Sequence, residues 1–305
     1  MSRTAAVLRG SALAAAPASR TWKLARRTVV YAALIVGAFL MMVPFIWMLL
    51  TSLKARSEVF STAPFSFPTG LHWDNYVKMW FALPGVTFGT FFYNSLLIAS
   101  LATVGQLITC SMAAYAFAVL RFRFKGILFA LVLATLIIPF QVVLVPNFIL
   151  YRNLPWPFSA SGNWIGTQFP LWVWAFFGGA FGIFLLRQFF LTIPSELADA
   201  ARVDGANPWQ IYRYVYIPLA RPALATLAIF TFMWSWNDLL DPLIYLRDLQ
   251  SYTTTVGLAF FQGEFVGNWP QMMAGALVSL VPMIVLFVIA QKYFVRGIAL
   301  SGLKG

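Results

Sequence analysis

The chain has 305 residues, of which 61% are hydrophobic and 10% charged, and its formal net charge is +12. Soluble domains carry about 25% charged residues, so this composition, with a mean hydropathy of +0.79, excludes a soluble globular fold. The basic residues gather at the ends of apolar runs instead of forming one patch, which points away from nucleic acid as a partner and toward a lipid bilayer.

Taken in chain order, residues 1–28 read as a basic tail holding Arg3, Arg9, Arg20, Lys23, Arg26 and Arg27. The apolar run that follows, Val29 to Leu50, is longer than the core of a signal peptide and is expected to stay as an uncleaved first span. A spanning helix needs about 20 apolar residues, and further runs of that length occur at Phe91 to Leu120, Ile127 to Tyr151, Phe169 to Phe190, Pro222 to Leu243 and Met272 to Phe294. The expected fold is an all-α integral membrane protein with about six transmembrane helices over 29–294 and a second tail over 295–305. The single Cys110 lies inside the second run, so neither an intrachain disulfide nor a cysteine metal cluster is expected.

Lys and Arg are retained on the cytoplasmic side of a membrane. Alternate segments between these runs carry 16 and 5 of them, and the larger set includes both tails. Both termini are therefore expected to be cytoplasmic, and the chain multi-pass. The opposite segments, 54–90, 152–168 and 244–271, are rich in Pro, Gly and aromatic residues and contain the sole histidine, His72. Trp73, Trp80, Trp156, Trp164 and Trp269 within them suit the membrane interface, where an indole finds both an apolar and a polar surrounding.

Between the fourth and fifth runs lies a polar loop, 191–221, whose local signals predict two short helices joined by a tight turn. Ser195 is placed to cap the first, Glu196 and Asp199 favour its opening turn, and Gly205 ends it. Asn207 and Pro208 start the second, which is expected to stop before Pro218. Trp209, Tyr212 and Tyr216 recur at helical spacing as an aromatic stripe, and Ala198, Ala200 and Ala201 keep the first helix slim. Such a hairpin suits a dock for a soluble partner, and an aromatic stripe beside Arg213 suits a membrane surface as well.

The segment DAARVDGA at Asp199 to Ala206, with Val215, Tyr216, Ile217 and Pro218 following at fixed spacing, resembles the "EAA" loop of binding-protein-dependent ABC importer permeases. Asp199 stands for the Glu, Val215 for the Ile and Ile217 for the Leu of that pattern, whereas Ala200, Ala201, Gly205 and Pro218 match it. Asn94-Ser95, AAYAFA at Ala113 to Ala118, Arg121, Phe124-Lys125-Gly126 and WSWNDLLDPL at Trp234 to Leu243 resemble the maltose-type carbohydrate permeases, as does the ending Lys304-Gly305.

The resemblance implies a bacterial or archaeal inner-membrane subunit that pairs with a second, different permease, two cytoplasmic ABC ATPase subunits and an extracytoplasmic solute-binding protein. It implies that the loop is a coupling helix seated on the ATPase, with Asp199 paired to a basic residue there, Ala200 and Ala201 allowing close approach, Gly205 the turn, and Trp209 and Pro218 completing the dock. It also implies that Leu300 to Gly305 reach the ATPase. The chain has no G-x-x-x-x-G-K-[ST] phosphate loop, so ATP is used by the partners and no cofactor is expected on this chain; nor does it carry a catalytic motif.

Polar residues inside spans are costly in lipid and mark candidate pathways. Asn94, Gln106, Gln141, Asn147, Ser235 and Asn237 qualify, and Gln141 and Asn147 flank a run interrupted by Pro139 and Pro146. Trp234 and Trp236 either stack on a sugar ring or pack the bundle. Asp238 and Asp241 could bind a cation or proton, as in an ion-coupled transporter, but they lie near the predicted interface and read in preference as an outer-surface pair. The substrate expected is a sugar or oligosaccharide, with glycerol phosphate or another polyol as the alternative. An anionic substrate would call for basic residues along the path, and none occurs away from span ends.

Overall fold

A computed structural model describes residues 20–157, 161–263 and 268–301 of the chain. Most of the amino-terminal tail, and the ending at 302–305, lie outside these residues. The chain divides into two units, Met1–Met48 and Leu49–Gly305. The described part of the first is residues 20–48 of helix α1 (Arg20–Ser52), whose last turn belongs to the second unit; the stretch Leu24–Ser52 has a hydropathy of 2.5 and is long enough to cross a bilayer.

The second unit opens with two short helices, α2 (Glu58–Ser61) and α3 (Asp74–Trp80), tied to the end of α1 by side-chain bonds. Asn75 Nδ2 donates to the Ser52 and Lys54 carbonyls at 2.9 and 3.0 Å, supplying partners for helix-end acceptors. Lys54 is buried, and its Nζ donates to Thr62 Oγ1, the Ala63 carbonyl and Ser66 Oγ.

At the centre of this unit is α4 (Phe88–Val119), against which three of the later helices of ten residues or more pack. Its 32 residues span about 48 Å at 1.5 Å per residue, more than the roughly 30 Å hydrocarbon layer, so it projects beyond the lipid. Its buried face carries Ala99, Ala102, Gly105 and Ala114, and small residues let neighbouring helices approach closely. At Gly182, on α8 (Ala180–Phe190), an added Cβ would lie 2.8 Å from Cys110 Sγ. The terminal carbonyls of α4 are satisfied by cations: Arg187 Nε donates to Phe117 O at 3.1 Å, and Lys125 Nζ to Ala118 O and Leu120 O at 3.2 and 2.8 Å.

The third apolar run is not one straight helix. Helix α5 (Lys125–Ala134), extended by a 3₁₀ turn to Ile137, meets α6 (Phe140–Asn153) at 99°. Ile138 is extended at ψ 114°, the conformation imposed on a residue preceding proline, and Pro139 starts the new helix. Pro146 sits inside α6 without breaking it. The fourth run forms α7 (Phe169–Trp172), a 3₁₀ turn over Val173–Phe177, and α8 after a Gly178-Gly179 break.

The loop expected between spans four and five folds into α9 (Ser195–Val203), α10 (Pro208–Ile211), a π turn (Tyr212–Tyr216) and α11 (Ile217–Leu219). Helix α12 (Arg221–Asn237) then leaves at 78°. It stops at Asn237, six residues short of the expected Leu243, because Asp238 turns the chain into a separate helix α13 (Leu240–Tyr245). Helices α14 (Thr254–Gly263) and α15 (Trp269–Ser301) complete the unit.

All secondary structure among the described residues is helical apart from one bridge between Pro155 and Asn163. Four helical segments are long and apolar enough to span, and the two bent pairs raise this to six. Not all the tryptophans stand free at an interface. Trp73 is exposed, but Trp80 packs on Phe88, Trp156 on Phe169, and Trp164 stacks on Tyr151 at 5.9 Å.

Candidate coupling hairpin and solute cavity

The hairpin is built by complementary end signals. Helix α9 ends in a Schellman arrangement: Gly205 N donates to Arg202 O at 3.0 Å and Ala206 N to Ala201 O at 2.9 Å, with Gly205 at φ +84°. Helix α10 begins with a reciprocal capping box, in which Asn207 Oδ1 accepts from Gln210 N at 2.9 Å and Gln210 Oε1 from Asn207 N at 2.7 Å. Two expectations are corrected. Pro194, not Ser195, occupies the cap of α9, and Ser195 is its first residue. The second arm runs through Pro218 to Leu219, the π turn just ahead of that proline widening the helix where its backbone donor is missing.

The tyrosines of the aromatic stripe face inward and are the hairpin's attachment to the bundle. Tyr212 and Tyr216 are buried, and their rings lie 5.3 and 5.2 Å from Tyr115 of α4. Tyr115 Oη donates to Pro208 O at 3.0 Å, and Tyr212 Oη shares a 2.7 Å hydrogen bond with Ser111 Oγ. Tyr216 also packs on Phe190 of α8 at 5.5 Å. Asp199, Ala200, Gly205, Trp209 and Pro218 remain exposed, Ala201 is half-buried and Ala198 is buried. Asp199 forms an ion pair with Arg202 one turn on. The exposed face of the hairpin is thus a polar ridge with one indole, mounted on a fixed aromatic base. Tyr115 and Ser111 were missed as contributors to it, although Tyr115 lies within the AAYAFA segment.

At the far end of α12, about 25 Å from Arg221 at 1.5 Å per residue, lies a cavity of ≈ 730 Å³. It forms where the broken elements converge: α6 beyond the Pro139 bend, the 3₁₀ turn after α7, the end of α12, and α13. Aromatic rings make much of its wall, including Tyr151, Trp174, Trp234 and Tyr245, and its polar groups come from Asn147, Asn237, Asp238 and Asp241. The wall is braced by an edge-to-face contact of Tyr151 with Tyr245 at 5.2 Å and by a Gly166 N to Tyr245 O bond of 2.7 Å. Asp238 Oδ1, one residue before the cap position of α13, accepts from Leu240 N and Asp241 N at 3.1 and 3.3 Å. Thr255 Oγ1 donates to the Asp238 carbonyl at 2.5 Å.

The candidate path residues separate. Asn147, Trp234 and Asn237 line the cavity, with Trp234 strongly exposed. Gln141 is exposed but lies outside the lining. Trp236 is buried, donates Nε1–H to Ser279 O at 3.1 Å, and stacks on Phe232 at 5.7 Å, so it packs the bundle. Asn94 Nδ2 donates to Gln250 O and Tyr252 O at 2.8 and 2.9 Å, anchoring the segment after α13 to α4. Gln106 Oε1 accepts from Cys110 Sγ at 2.7 Å inside the bundle. Asp238 and Asp241, read from sequence as an outer-surface pair in preference to an ion site, belong to the cavity wall.

The family profile for the "Binding-protein-dependent transport system inner membrane component" matches residues 105–300. The arabinooligosaccharides transport system permease protein AraQ of Halalkalibacterium halodurans is 33% identical over 271 residues, covering 88% of this chain and 93% of that protein. The sn-glycerol-3-phosphate transport system permease protein UgpE of Yersinia pestis is 31% identical, covering 87% of this chain and 93% of its own length. Among solved structures, a bacterial ABC transporter involved in the import of the acidic polysaccharide alginate contains a similar chain. Its TM-score is 0.75 at 26% identity, over 90% of this chain and 98% of that one.

Proposed function

The chain belongs to the family of inner-membrane components of binding-protein-dependent transport systems, and from that premise we propose that it is a permease subunit of an ATP-driven importer of a sugar or oligosaccharide. The observation that carries this reading is the continuity of α12. The helix leaves the hairpin at Arg221 and ends at the cavity at Asn237. A displacement applied to the hairpin by an ATPase is carried to the cavity wall along one rigid element, and the tyrosine base at Tyr115, Tyr212 and Tyr216 moves α4 and α8 with it.

In this reading two cytoplasmic ATPase subunits hydrolyse ATP, a second permease completes the path, and a solute-binding protein delivers the substrate from the far side. Both termini are then cytoplasmic. Asp199, Ala200, Ala201, Gly205, Trp209 and Pro218 form the ATPase dock, with Asp199 exchanging its Arg202 partner for a basic residue of the ATPase. Asn147, Trp234 and Asn237 contribute to the solute path. The relatives' names cover both a neutral oligosaccharide and a phosphorylated polyol, and among the described residues the cavity lining holds no Lys, Arg or His, which favours the neutral class.

The test is affinity purification from the host membrane in mild detergent, followed by mass spectrometry. The expected result is recovery of a P-loop ATPase and a second permease. Asp199→Lys should insert normally and lose most of the ATPase. Unchanged recovery of ATPase with this variant would remove Asp199 from the dock, and isolation of the chain alone would argue against the importer reading.

A further inference from the structure

We propose that the turn after α4 and the groove beside it bind the headgroup of an anionic phospholipid, with Arg121 taking its phosphate. The proposal rests on the reading of the hairpin as a cytoplasmic ATPase dock, and it adds a lipid ligand at that end of the bundle.

The turn, Leu120 to Gly126, reads Leu-Arg-Phe-Arg-Phe-Lys-Gly, so cations alternate with aromatic rings and no carboxylate intervenes. Lys125 is committed, since its Nζ bonds the Ala118 and Leu120 carbonyls. Arg187 of α8 is committed in the same way, to Phe117 O and over the ring of Phe129 at 4.2 Å. Arg121, in contrast, is exposed and makes no hydrogen bond or ion pair among the described residues. It stands among like charges, for both Arg121 and Arg187 act on Lys125. Arg123 lies over the Phe124 ring at 4.8 Å and has no ion pair among the described residues either. Positive charge gathered without a counter-charge of its own favours an anion beside it.

Arg121 also lines a groove of ≈ 660 Å³ between the end of α4 and α9, together with Leu120, Phe190, Ser195, Asp199 and Arg202. Among the described residues its lining holds one carboxylate, Asp199, and that is paired with Arg202. Arg121 is therefore the uncompensated charge. When Asp199 turns to a basic residue of the ATPase, Arg202 is released into the same space, and a phosphate there accepts from both guanidinium groups. Lipid binding and ATPase docking are then linked, each strengthening the other.

Position selects a lipid as the source of the phosphate. Phe122 and Phe124 are exposed on either side of Arg123, and Phe124 holds φ +62°, a left-handed backbone that residues with a Cβ seldom adopt. Helix α5, which starts at the next residue, exposes Ile127, Leu128 and Leu131, a face suited to acyl chains. Cations between exposed rings at the end of such a face match the headgroup layer, where rings sit at the acyl boundary and guanidinium groups at the phosphates. A free anion would use the cations and leave the rings in water.

The test uses the importer assembled with its partner chains in nanodiscs of zwitterionic lipid, doped with phosphatidylglycerol carrying a photoreactive headgroup, and maps the labelled peptides by mass spectrometry. Label should appear within 118–126 or 191–202. Unlabelled phosphatidylglycerol should compete about fivefold better than phosphatidylethanolamine, the scale of one arginine at an anionic surface. Arg121→Ala should lower the labelling and level that ratio, and Arg121→Lys should keep part of both. Arg27→Ala, which removes one exposed cation from α1, should change neither. The competition ratio is the readout a merely structural defect would not move, and the wild-type arms stand even where a variant fails to assemble. Label only elsewhere, equal competition by the two lipids, displacement by inorganic phosphate, or the same loss in Arg27→Ala would each overturn the site. Loss of ATPase from Arg121→Ala with the lipid ratio intact would overturn it too, and would give Arg121 to a protein contact. Failure of the importer reading shows separately, as a wild-type chain that recovers no ATPase.

Discussion

Tyr115 stands between the rings of Tyr212 and Tyr216 and donates a hydrogen bond to the backbone of the hairpin, so one side chain joins α4 to the proposed dock by packing and by polarity. The two contributions can be separated. Tyr115→Phe removes a hydrogen bond worth about 1 kcal/mol and keeps the ring, so ATPase recovery should persist with uptake per ATP reduced by a small factor. Tyr115→Ala opens a cavity at a cost of roughly 3–5 kcal/mol and should uncouple hydrolysis from uptake or prevent assembly. Gly205, at φ +84°, gives a sharper contrast: a β-branched side chain there meets the left-handed penalty of about 1–2 kcal/mol at an exposed site with nothing within 4 Å of its added Cβ. Gly205→Val should therefore lose ATPase affinity through the shape of the turn. Equal ATPase recovery from wild type and Gly205→Val would show that the turn geometry is unimportant for docking.

Among the elements, the break at Pro139 is the one that shapes the cavity, since it turns α6 so that Phe140 and Asn147 reach the wall. Replacing Pro139 by Ala lifts the restriction on Ile138, and α5 should tend to continue straight through the bend. The expected outcome is normal membrane insertion with uptake lowered by tenfold or more (about 1.4 kcal/mol or more in apparent coupling). A spin-label distance from Leu131 to Leu150 should lengthen. Pro146→Ala, inside a helix that is already continuous, should leave both unchanged. Sequence alone offered both prolines as breaks, because each removes a donor, and could not choose between them. What separates them is the backbone: Ile138 before Pro139 is extended, whereas the helix runs on through Pro146. The same limit applies to the hairpin. Gly205, Asn207 and Pro208 marked its turn from local chemistry, whereas the period of Trp209, Tyr212 and Tyr216 defined a stripe without saying which side it faces. Tertiary contacts with Tyr115 and Phe190 turned the tyrosines inward and left Trp209 outside. The cavity was legible only in part: Asn147, Trp234 and Asn237 were polar or aromatic residues near span ends, but Asp241 joins them because α12 stops at Asn237, whereas the expected span ran on to Leu243.

For the whole molecule the decisive quantity is orientation, because a hairpin that docks an ATPase must face the cytoplasm. The distribution of Lys and Arg predicts it, as basic segments are retained on that side. Two exposed positions make the prediction measurable: Phe67, 84% exposed between α2 and α3, and Val203, 87% exposed at the end of α9. The native Cys110 is buried and should stay silent toward a membrane-impermeant maleimide, and Cys110→Ser removes it in any case. In intact spheroplasts Phe67→Cys should be labelled and Val203→Cys should not; permeabilisation should expose Val203→Cys, and co-assembled ATPase should slow its labelling again. That last protection ties orientation to coupling, since Val203 lies on the same short helix as Asp199. Labelling of Val203→Cys from outside would instead place the hairpin away from ATP. The continuous path along α12 would then lead from the wrong side of the membrane, and an ion-coupled mechanism through the cavity carboxylates would become the reading to test.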